Sequence, residues 1–178
     1  FGPGLPPGFT ALGGNAIIGA IGNIDLVRND RFNNTLAVPV TVRYTVQGTS
    51  ASGCLSAPLD YDVAVNPEPT LDPLLNPTPV CSGLPSSVTL GVAAGSVAAA
   101  TYNVNSILFP GLTAGGANTG IGNGKPANAI FNDVYVNTTN GVLTAVYQIS
   151  PVSAAGCVGP EAPLTLTINP SPDLSNTL

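Results

Sequence analysis

The sequence predicts an all-β fold, built from a sandwich unit of about 103 residues that occurs in tandem. Three observations point to this fold. Blocks of sequence recur at a constant spacing, apolar residues alternate with polar ones over short runs, and 21 glycines and 18 prolines are scattered through the 178 residues. Alternation is typical of half-buried strands, while frequent Gly and Pro break helices and favour turns.

The internal repeat appears when the sequence is shifted by 103 residues, which places Cys54 on Cys157. Four blocks carry the match in one register from position 8 to position 71: residues 8–15 (GFTALGGN) on 111–118 (GLTAGGAN), 30–35 on 133–138, 42–54 on 145–157, and 63–71 on 166–174. A chance match would not keep one register across four separate blocks. We therefore interpret the sequence as an internal duplication.

The duplication predicts the domain organisation. Residues 72–174 form a complete second repeat, and residues 1–71 form a partial first repeat that lacks its opening strands, the counterpart of 72–103. Residues 175–178 begin a linker. We expect the partial repeat to be completed by preceding polypeptide or by another chain. Asn-Pro-x-Pro segments are the predicted semi-rigid spacers, because proline fixes φ. They span residues 66–69 and 169–172.

Alternating apolar positions predict the strands. In the second repeat the inward-facing sets are Leu143, Ala145, Tyr147 and Ile149, followed by Leu164, Leu166 and Ile168. In the first repeat the corresponding sets are Val40, Val42, Tyr44 and Val46, followed by Tyr61, Val63 and Val65. Further strands are predicted at residues 88–92, 99–104 and 130–136. About seven strands in about 100 residues is typical of an immunoglobulin-like sandwich.

The charge content excludes several classes of partner. Charged residues make up 7% of the chain, the net charge is −5, and the four basic residues form no cluster. Nucleic-acid binding requires a basic surface, so we expect no nucleic-acid partner. Anionic membrane surfaces are excluded for the same reason, and no apolar run approaches the roughly 20 residues of a spanning helix, so we expect no membrane insertion.

Residue types that carry catalysis are sparse, and we predict no catalytic, cofactor-binding or metal-binding residue. The chain has no histidine, which removes the commonest general base and many metal sites. Asp60 and Asp62 share a strand face as a glycosidase pair would, but that face is the predicted outer one. Asp30 and Asp133 recur between the repeats, where either a calcium site or an Asx-type turn is an available interpretation.

Two segments fit the N-x-[ST] sequon, Asn33-Asn34-Thr35 and Asn137-Thr138-Thr139. We interpret both as incidental marks of surface turns rather than as glycosylation sites.

The order of motifs in the second repeat resembles a known family. VCSG (80–83) precedes a short strand SSVTL, the aromatic strand ATYNV and the loop GLTAGGANTGIGNG, and VNTTNG, TAVYQISPVSAAGC and LTLTINPSP follow. This order is similar to the PKD-like repeats of very large surface proteins of gliding bacteria, which resemble gliding-motility adhesins. One departure is Tyr102, which stands where such repeats usually carry Trp.

The resemblance implies one disulfide in each repeat. It would join Cys81 to Cys157 and leave Cys54 to a partner outside this chain. An alternative is a strand-exchanged domain over residues 1–107 with a Cys54–Cys81 bridge. Disulfides indicate an oxidising compartment. The implied localisation is therefore extracellular, on a bacterial cell surface.

We expect this chain to be a structural repeat segment of an extracellular bacterial adhesin or surface filament, and not an enzyme. The expected partners are neighbouring repeats or copies of itself in a fibre, with surface glycans as further ligands. The alternative is a carbohydrate-binding sandwich module of a secreted protein. Such modules hold sugars against exposed aromatic rings, and the candidate rings here are Phe1, Phe9 and Tyr135.

Overall fold

A computed structural model of the chain describes residues 5–15, 22 and 27–172, and the predicted all-β class is confirmed. These residues form no helix, and within them nothing has the helical length and apolarity that crossing a bilayer requires. The strands are β1 (Phe9–Ala11), β2 (Phe32–Asn34), β3 (Val40–Val46), β4 (Leu59–Val65), β5 (Val80–Cys81), β6 (Ala99–Leu108), β7 (Thr113–Ala114), β8 (Gly122–Lys125), β9 (Tyr135–Val136), β10 (Leu143–Ser153) and β11 (Ala162–Asn169).

The chain divides into two compact units, unit 1 (Phe1–Glu68) and unit 2 (Pro69–Leu178). Strands β1 to β4 belong to unit 1 and β5 to β11 to unit 2. The division falls within the predicted proline-rich spacer at 66–69. The assignment of residues 1–71 as a partial repeat stays a prediction.

Unit 2 is an immunoglobulin-like sandwich with one large sheet in the order β5-β11-β10-β6-β8. All its pairings are antiparallel except that of β5 with β11. The short pair β7-β9 belongs to the second layer. A core between the layers joins side chains from both, among them Tyr102 and Val104 of β6 and Tyr135 of β9.

The predicted inward sets of unit 2 are confirmed. The side chains of Ala145, Tyr147, Ile149, Leu164, Leu166 and Ile168 are all at most 2% exposed, and Leu143 packs against them. Strand β10 pairs with β11 from Leu143↔Ile168 to Ile149↔Ala162, so that both sets face the same layer. The alternation of apolar and polar residues correctly predicted which side chains face the core, because only one face of each of these strands is buried.

Two predicted strands of unit 2 were wrong in extent. Residues 88–92 form only one isolated bridge, and residues 130–136 contribute only the two residues of β9. Both segments bury apolar side chains, Val88, Leu90 and Ile130. Their backbone groups pair irregularly instead: the Leu90 N–H donates to the Ala127 carbonyl, and the Asp133 N–H closes a turn onto Ile130. Apolar residues that are buried on an irregular segment can therefore show the same sequence pattern as a β-strand.

Unit 1 has two separate two-stranded sheets, β1-β2 and β3-β4. The hairpin β3-β4 matches β10-β11 residue for residue, from Val40↔Val65 to Val46↔Leu59. In unit 2, β10 also pairs with β6, and β11 also pairs with β5. Among the described residues of unit 1, no strand flanks the corresponding edges of β3 and β4.

Candidate functional site

A buried hydroxyl–carboxylate chain links the layers of unit 2. The Tyr147 hydroxyl donates to Asp133 Oδ2, and the Tyr135 and Tyr147 hydroxyl oxygens lie 2.7 Å apart. Since the Tyr147 proton goes to the carboxylate, Tyr135 is the donor in the second bond. Asp133 Oδ1 accepts the Thr119 N–H at 2.8 Å. Burial, followed by the hydrogen bond to Asp133, raises the pKa of Tyr147 well above its ordinary value.

Unit 1 has the same tyrosine–aspartate hydrogen bond but lacks the second tyrosine. The Tyr44 hydroxyl donates to Asp30 Oδ2 at 2.9 Å, and Phe32 stands where unit 2 has Tyr135. Burial, followed by the Asp30 hydrogen bond, raises the pKa of Tyr44 to about 12. Asp30 and Asp133 therefore share a role, since each accepts a hydrogen bond from a tyrosine on the first strand of the hairpin, β3 or β10.

Two asparagines make the same backbone bonds in both units. In unit 2, Asn118 donates from Nδ2 to the Val134 carbonyl and accepts the Val134 N–H, each at 2.8 Å. In unit 1, Asn15 does the same with Arg31, each at 2.7 Å. An asparagine side chain in this position serves as an extra strand residue, because its amide offers one donor and one acceptor.

The second repeated asparagine ties a turn to the end of the hairpin. Asn137 donates from Nδ2 to the carbonyls of Gly141 (2.8 Å) and Ile168 (3.1 Å). Asn34 donates in the same way to Val38 (3.0 Å) and Val65 (2.8 Å). Both side chains are at most 2% exposed.

The interpretation of the sequons as surface turns was therefore wrong for Asn137, which is buried with its amide fully engaged. The sequence signal that would have found this role is the recurrence of Asn at the same register position next to the hairpin.

The described residues contain no group of three His, Cys, Asp or Glu side chains that would hold a metal ion. At Asp133 the carboxylate oxygens point to a tyrosine and a backbone N–H rather than to other oxygens. The donor set around Asp133 thus fits a structural bond better than a calcium site, which gathers six to eight oxygens.

The main difference between the units is the inner face of the hairpin, here called the open face of unit 1. It consists of Val42, Tyr44, Val46, Tyr61, Val63 and Val65. The exposed fraction is 37% for Val46, 53% for Tyr61 and 47% for Val63, whereas their counterparts Ile149, Leu164 and Leu166 are at most 2% exposed.

Tyr61 and Val63, which were predicted to face inward, lie on the same face of the hairpin as Leu164 and Leu166 do in unit 2, but they stay about half exposed. In unit 2 the corresponding face shares its core with Val88 and Leu90, and Tyr102 of β6 lies beside it in the same sheet. These residues belong to the segment 72–103. Among the described residues of unit 1, none buries Val46, Tyr61 or Val63 to the same extent. The residue types are those of a core face, and what differs is the covering layer.

The carboxylate pair lies on the outer face, as expected. Arg43 forms a bidentate ion pair with Asp62, with nitrogen–oxygen distances of 2.6 and 2.7 Å. Asp60 accepts the Thr45 hydroxyl at 2.7 Å and lies 4.0 Å from Arg43. The hydrogen bond from Arg43 lowers the pKa of Asp62. An acid held ionised by arginine does not suit a proton-donating glycosidase residue, which needs a raised pKa.

All three cysteines are free thiols, with Cys54 and Cys81 exposed and Cys157 partly so. Cys81 pairs with Asn169, the last residue of β11, and therefore lies near Leu143, the first residue of β10. Cys157 follows Ser153, the last residue of β10. Strand β10 has 11 residues. At about 3.3 Å per residue, its ends lie about 30 Å apart. A disulfide needs Cα atoms within about 7 Å. The expected Cys81–Cys157 bridge within one repeat is therefore incompatible with this fold.

The rings expected to bind sugars are buried where the structure describes them. Phe9 is 2% exposed and stacks on Phe32, with centroids 5.4 Å apart. Tyr135 is also 2% exposed and contacts the ring of Phe109 at 5.3 Å. Phe1 lies outside the described residues.

Comparison with known proteins identifies the family. A family model described as PKD-like domain matches the chain twice, over residues 14–69 and 113–172. No curated protein and no solved structure matches the chain. The two matched segments fall in unit 1 and unit 2 respectively and together cover more than half of the 178 residues. The two units share their hairpin register and their asparagine bonds, and the chain belongs to the PKD-like domain family.

Proposed function

We propose that this chain is a repeat segment of an extracellular bacterial surface adhesin or filament, similar to the gliding-motility adhesins that its motif order resembles. The observation that carries the proposal is the course of the chain through unit 2. Unit 2 begins at Pro69, beside Gly159, and its last described strand ends at Asn169. Gly159 follows β10 at one end of the sheet, and Asn169 ends β11 at the other. Modules with opposite termini join into extended arrays.

A tight backbone contact anchors the beginning of unit 2 to the rest of that unit. A Cβ atom added to Gly159 would lie 1.7 Å from the Pro69 carbonyl oxygen, so only glycine allows this approach of the two backbones. Leu71 then enters the core of unit 2 and is 4% exposed. Proline fixes φ in the spacer and the buried leucine anchors its end in unit 2, and both features support the proposal of an extended array.

We also propose that the chain has no enzymatic activity. Its paired carboxylates, Asp60 and Asp62, are engaged by Arg43 and Thr45 on an open strand face. A cavity of about 330 Å³ in unit 2 has Asp72 as its only ionisable lining residue. Neither place offers the two converging acids, or the acid and nucleophile, that hydrolysis needs.

The partner that fits the open face of unit 1 is the opening segment of another copy of the repeat, of the kind found at residues 72–103. Unit 2 supplies the template, because there Val88 and Leu90 of this segment pack in one core with the corresponding face, and Tyr102 lies beside it in the same sheet. Strand β6 also pairs along β10, the counterpart of β3. Exposed strand edges recruit further strands. Covering Val46, Tyr61 and Val63 would stabilise unit 1 by about 3 kcal/mol, taking about half of each side chain's burial free energy.

This partner is tested with a synthetic, labelled peptide of residues 71–108 in which Cys81 is replaced by Ser. We expect saturable binding to the full chain, measured by fluorescence anisotropy. The double variant Tyr61→Ser/Val63→Ser should lose that binding. The matched control is Thr41→Ser/Ala64→Ser, a register pair on the outer face of the same hairpin. Equal binding to both variants, or no binding to the parent chain, would refute this partner.

The proposed function itself is tested on intact cells of the source organism. Antibodies raised against the chain should label the outside of unpermeabilised cells and decorate extended structures at regular intervals in electron micrographs. Labelling that appears only after permeabilisation would refute the surface location. A parent protein that is compact in rotary-shadowed images would refute the filament.

The carbohydrate-binding alternative receives no specific support, because Phe9 and Tyr135 cannot stack on a sugar without leaving the core. Glycans as ligands of an adhesin would have to be bound without these two rings.

A further inference from the structure

Asparagine is followed directly by glycine at two places in unit 2, Asn123-Gly124 and Asn140-Gly141. Asparagine is chemically labile, and most so before glycine, because the next backbone nitrogen can attack the side-chain amide carbon and glycine has no Cβ to hinder that attack. The attack requires the backbone between the two residues to rotate. The fold therefore decides which of the two asparagines reacts.

The first Asn-Gly step is held within a paired strand. Asn123 and Gly124 lie inside β8, between Gly122 and Lys125, and both of these flanking residues pair with β6. The Gly124 N–H donates to Asn103 Oδ1 at 3.2 Å. Residues of a paired strand rotate only when the pairing opens, so this step is protected in the folded chain.

The second Asn-Gly step lies in a bend between β9 and β10, outside any strand. Asn140 is exposed, and its side-chain amide makes no hydrogen bond within the part of the chain that the structure describes. The Gly141 N–H donates to Thr139 Oγ1 at 3.3 Å, which is longer than an ordinary N–H···O bond. Neither the attacking nitrogen nor the attacked amide is therefore held firmly away from the other.

We propose that Asn140 is a site of spontaneous deamidation to isoaspartate in the folded chain, whereas Asn123 is protected. The Gly141 nitrogen attacks Asn140 Cγ, a C–N bond forms, and ammonia leaves with the proton of the Gly141 N–H. Water then opens the resulting cyclic imide. Opening at the backbone carbonyl of residue 140 leaves the chain connected through Cγ, which is isoaspartate, and opening at Cγ gives aspartate. Water is the only other reactant.

The modification weakens a bond that holds the turn of unit 2. The Gly141 carbonyl accepts hydrogen bonds from Asn137 Nδ2 at 2.8 Å and from Thr139 Oγ1 at 3.1 Å. Isoaspartate inserts one extra methylene into the main chain just before Gly141, which displaces this carbonyl. The buried Asn137 amide then loses one of its two backbone acceptors, and a negative charge is added beside it.

The equivalent turn of unit 1 lacks the reactive step. Asn34 donates to the Val38 carbonyl at 3.0 Å, as Asn137 does to Gly141. The residues in register with 140 and 141 are Ala37 and Val38, so no imide can form there. The loosening is therefore specific to unit 2, and unit 1 serves as an internal control.

The experiment follows the full 178-residue chain during incubation at mildly alkaline pH in ¹⁸O-labelled water. Chymotryptic peptides are analysed by mass spectrometry, with electron-transfer fragmentation to identify isoaspartate. Phe131 and Tyr135 lie between the two Asn-Gly steps, so different peptides carry Asn123 and Asn140. We expect conversion at Asn140 and little at Asn123 in the folded chain, and similar rates at both in urea. Equal rates in the folded chain, or conversion of Asn140 in urea alone, would overturn the inference.

A matched pair of variants tests the chemistry and its consequence. A Cβ added at Gly141 or at Gly116 meets nothing within 4 Å, so both substitutions keep the fold. Gly141→Ala should lose most of the conversion at Asn140, because the methyl group hinders the attack, and Gly116→Ala should keep it.

Hydrogen–deuterium exchange after incubation reports on the turn. Peptides that contain Asn137 should exchange faster in the converted parent chain than in Gly141→Ala, while peptides from β3 should not change. Exchange near Asn137 that does not rise with conversion would refute the loosening. The reaction needs no partner and no particular location, so its outcome is separate from that of the proposed function.

Discussion

Removal of the Tyr147 hydroxyl tests the buried chain that joins the two layers of unit 2. The substitution Tyr147→Phe keeps the ring but deletes the donor to Asp133 and the acceptor of Tyr135. Asp133 is 2% exposed and keeps only its bond from the Thr119 N–H. A hydrogen bond to a charged group contributes about 1.5–3 kcal/mol, and a buried polar group left without its partner costs about as much. We expect unit 2 to lose about 3 kcal/mol of its free energy of unfolding.

The matched control is Tyr44→Phe in unit 1. Tyr44 makes the same bond to Asp30, but both residues are partly exposed, and Phe32 already lacks the third hydroxyl. Water can replace the lost donor there, so the expected loss is below about 1 kcal/mol.

Hydrogen–deuterium exchange followed by mass spectrometry separates the two units, because peptides from β10 report on unit 2 and peptides from β3 report on unit 1. A loss of less than about 1 kcal/mol in β10 for Tyr147→Phe, or an equal loss in both units, would refute the reasoning that burial makes this bond strong.

Three further predictions concern unit 2. Gly159→Ala should destabilise unit 2 by about 3 kcal/mol in urea unfolding, because the new Cβ would clash with the Pro69 carbonyl oxygen. The control Gly116→Ala should change stability by less than about 0.5 kcal/mol, because nothing lies within 4 Å of a Cβ at that position. Asn137→Ala should cost about 3 kcal/mol by the same measurement, since it removes the amide that donates to the Gly141 and Ile168 carbonyls and accepts the Thr139 N–H. An unchanged midpoint would contradict this. Raising the pH above 10 should lower the free energy of unfolding. Burial raises the pKa of three tyrosines in the folded state, whereas the same tyrosines ionise near 10 in the unfolded state, so the unfolded state binds fewer protons there. The expected slope is about 1.4 kcal/mol per pH unit for each tyrosine, and a free energy of unfolding that stays constant between pH 10 and 11 would contradict this reasoning. These tyrosines are Tyr102, Tyr135 and Tyr147.

Local pattern predicted the strands that are buried on one face. Leu164, Leu166 and Ile168 alternate with polar residues, and each lies in the core. Residues 88–92 show why the same signal failed elsewhere, because buried side chains on an irregular segment also follow one another at short spacing. Regular pairing depends on a neighbouring strand, which a single-sequence pattern does not contain.

Recurrence in the sequence marked the positions that matter structurally but not their roles. Asp133 and Asn137 both recur, and the available interpretations were a calcium site or turn for one and a surface sequon for the other. Their true partners, Tyr147 and the Ile168 carbonyl, lie 14 and 31 residues away along the chain. Such partners become neighbours only when the hairpin folds onto the second layer.

The sequence by itself determined the all-β class, the duplication, and the inward face of each long strand, because these depend on periodicity and on the amino-acid types at fixed spacing. The tertiary structure decided what these faces meet. Tyr61 and Leu164 occupy the same position in the two units, yet one is half exposed and the other buried, because a covering layer comes from distant residues. The distance between Cys81 and Cys157 was likewise decided by the tertiary structure. The length and direction of β10 place the two cysteines at opposite ends of one sheet, and their positions in the sequence do not predict this distance.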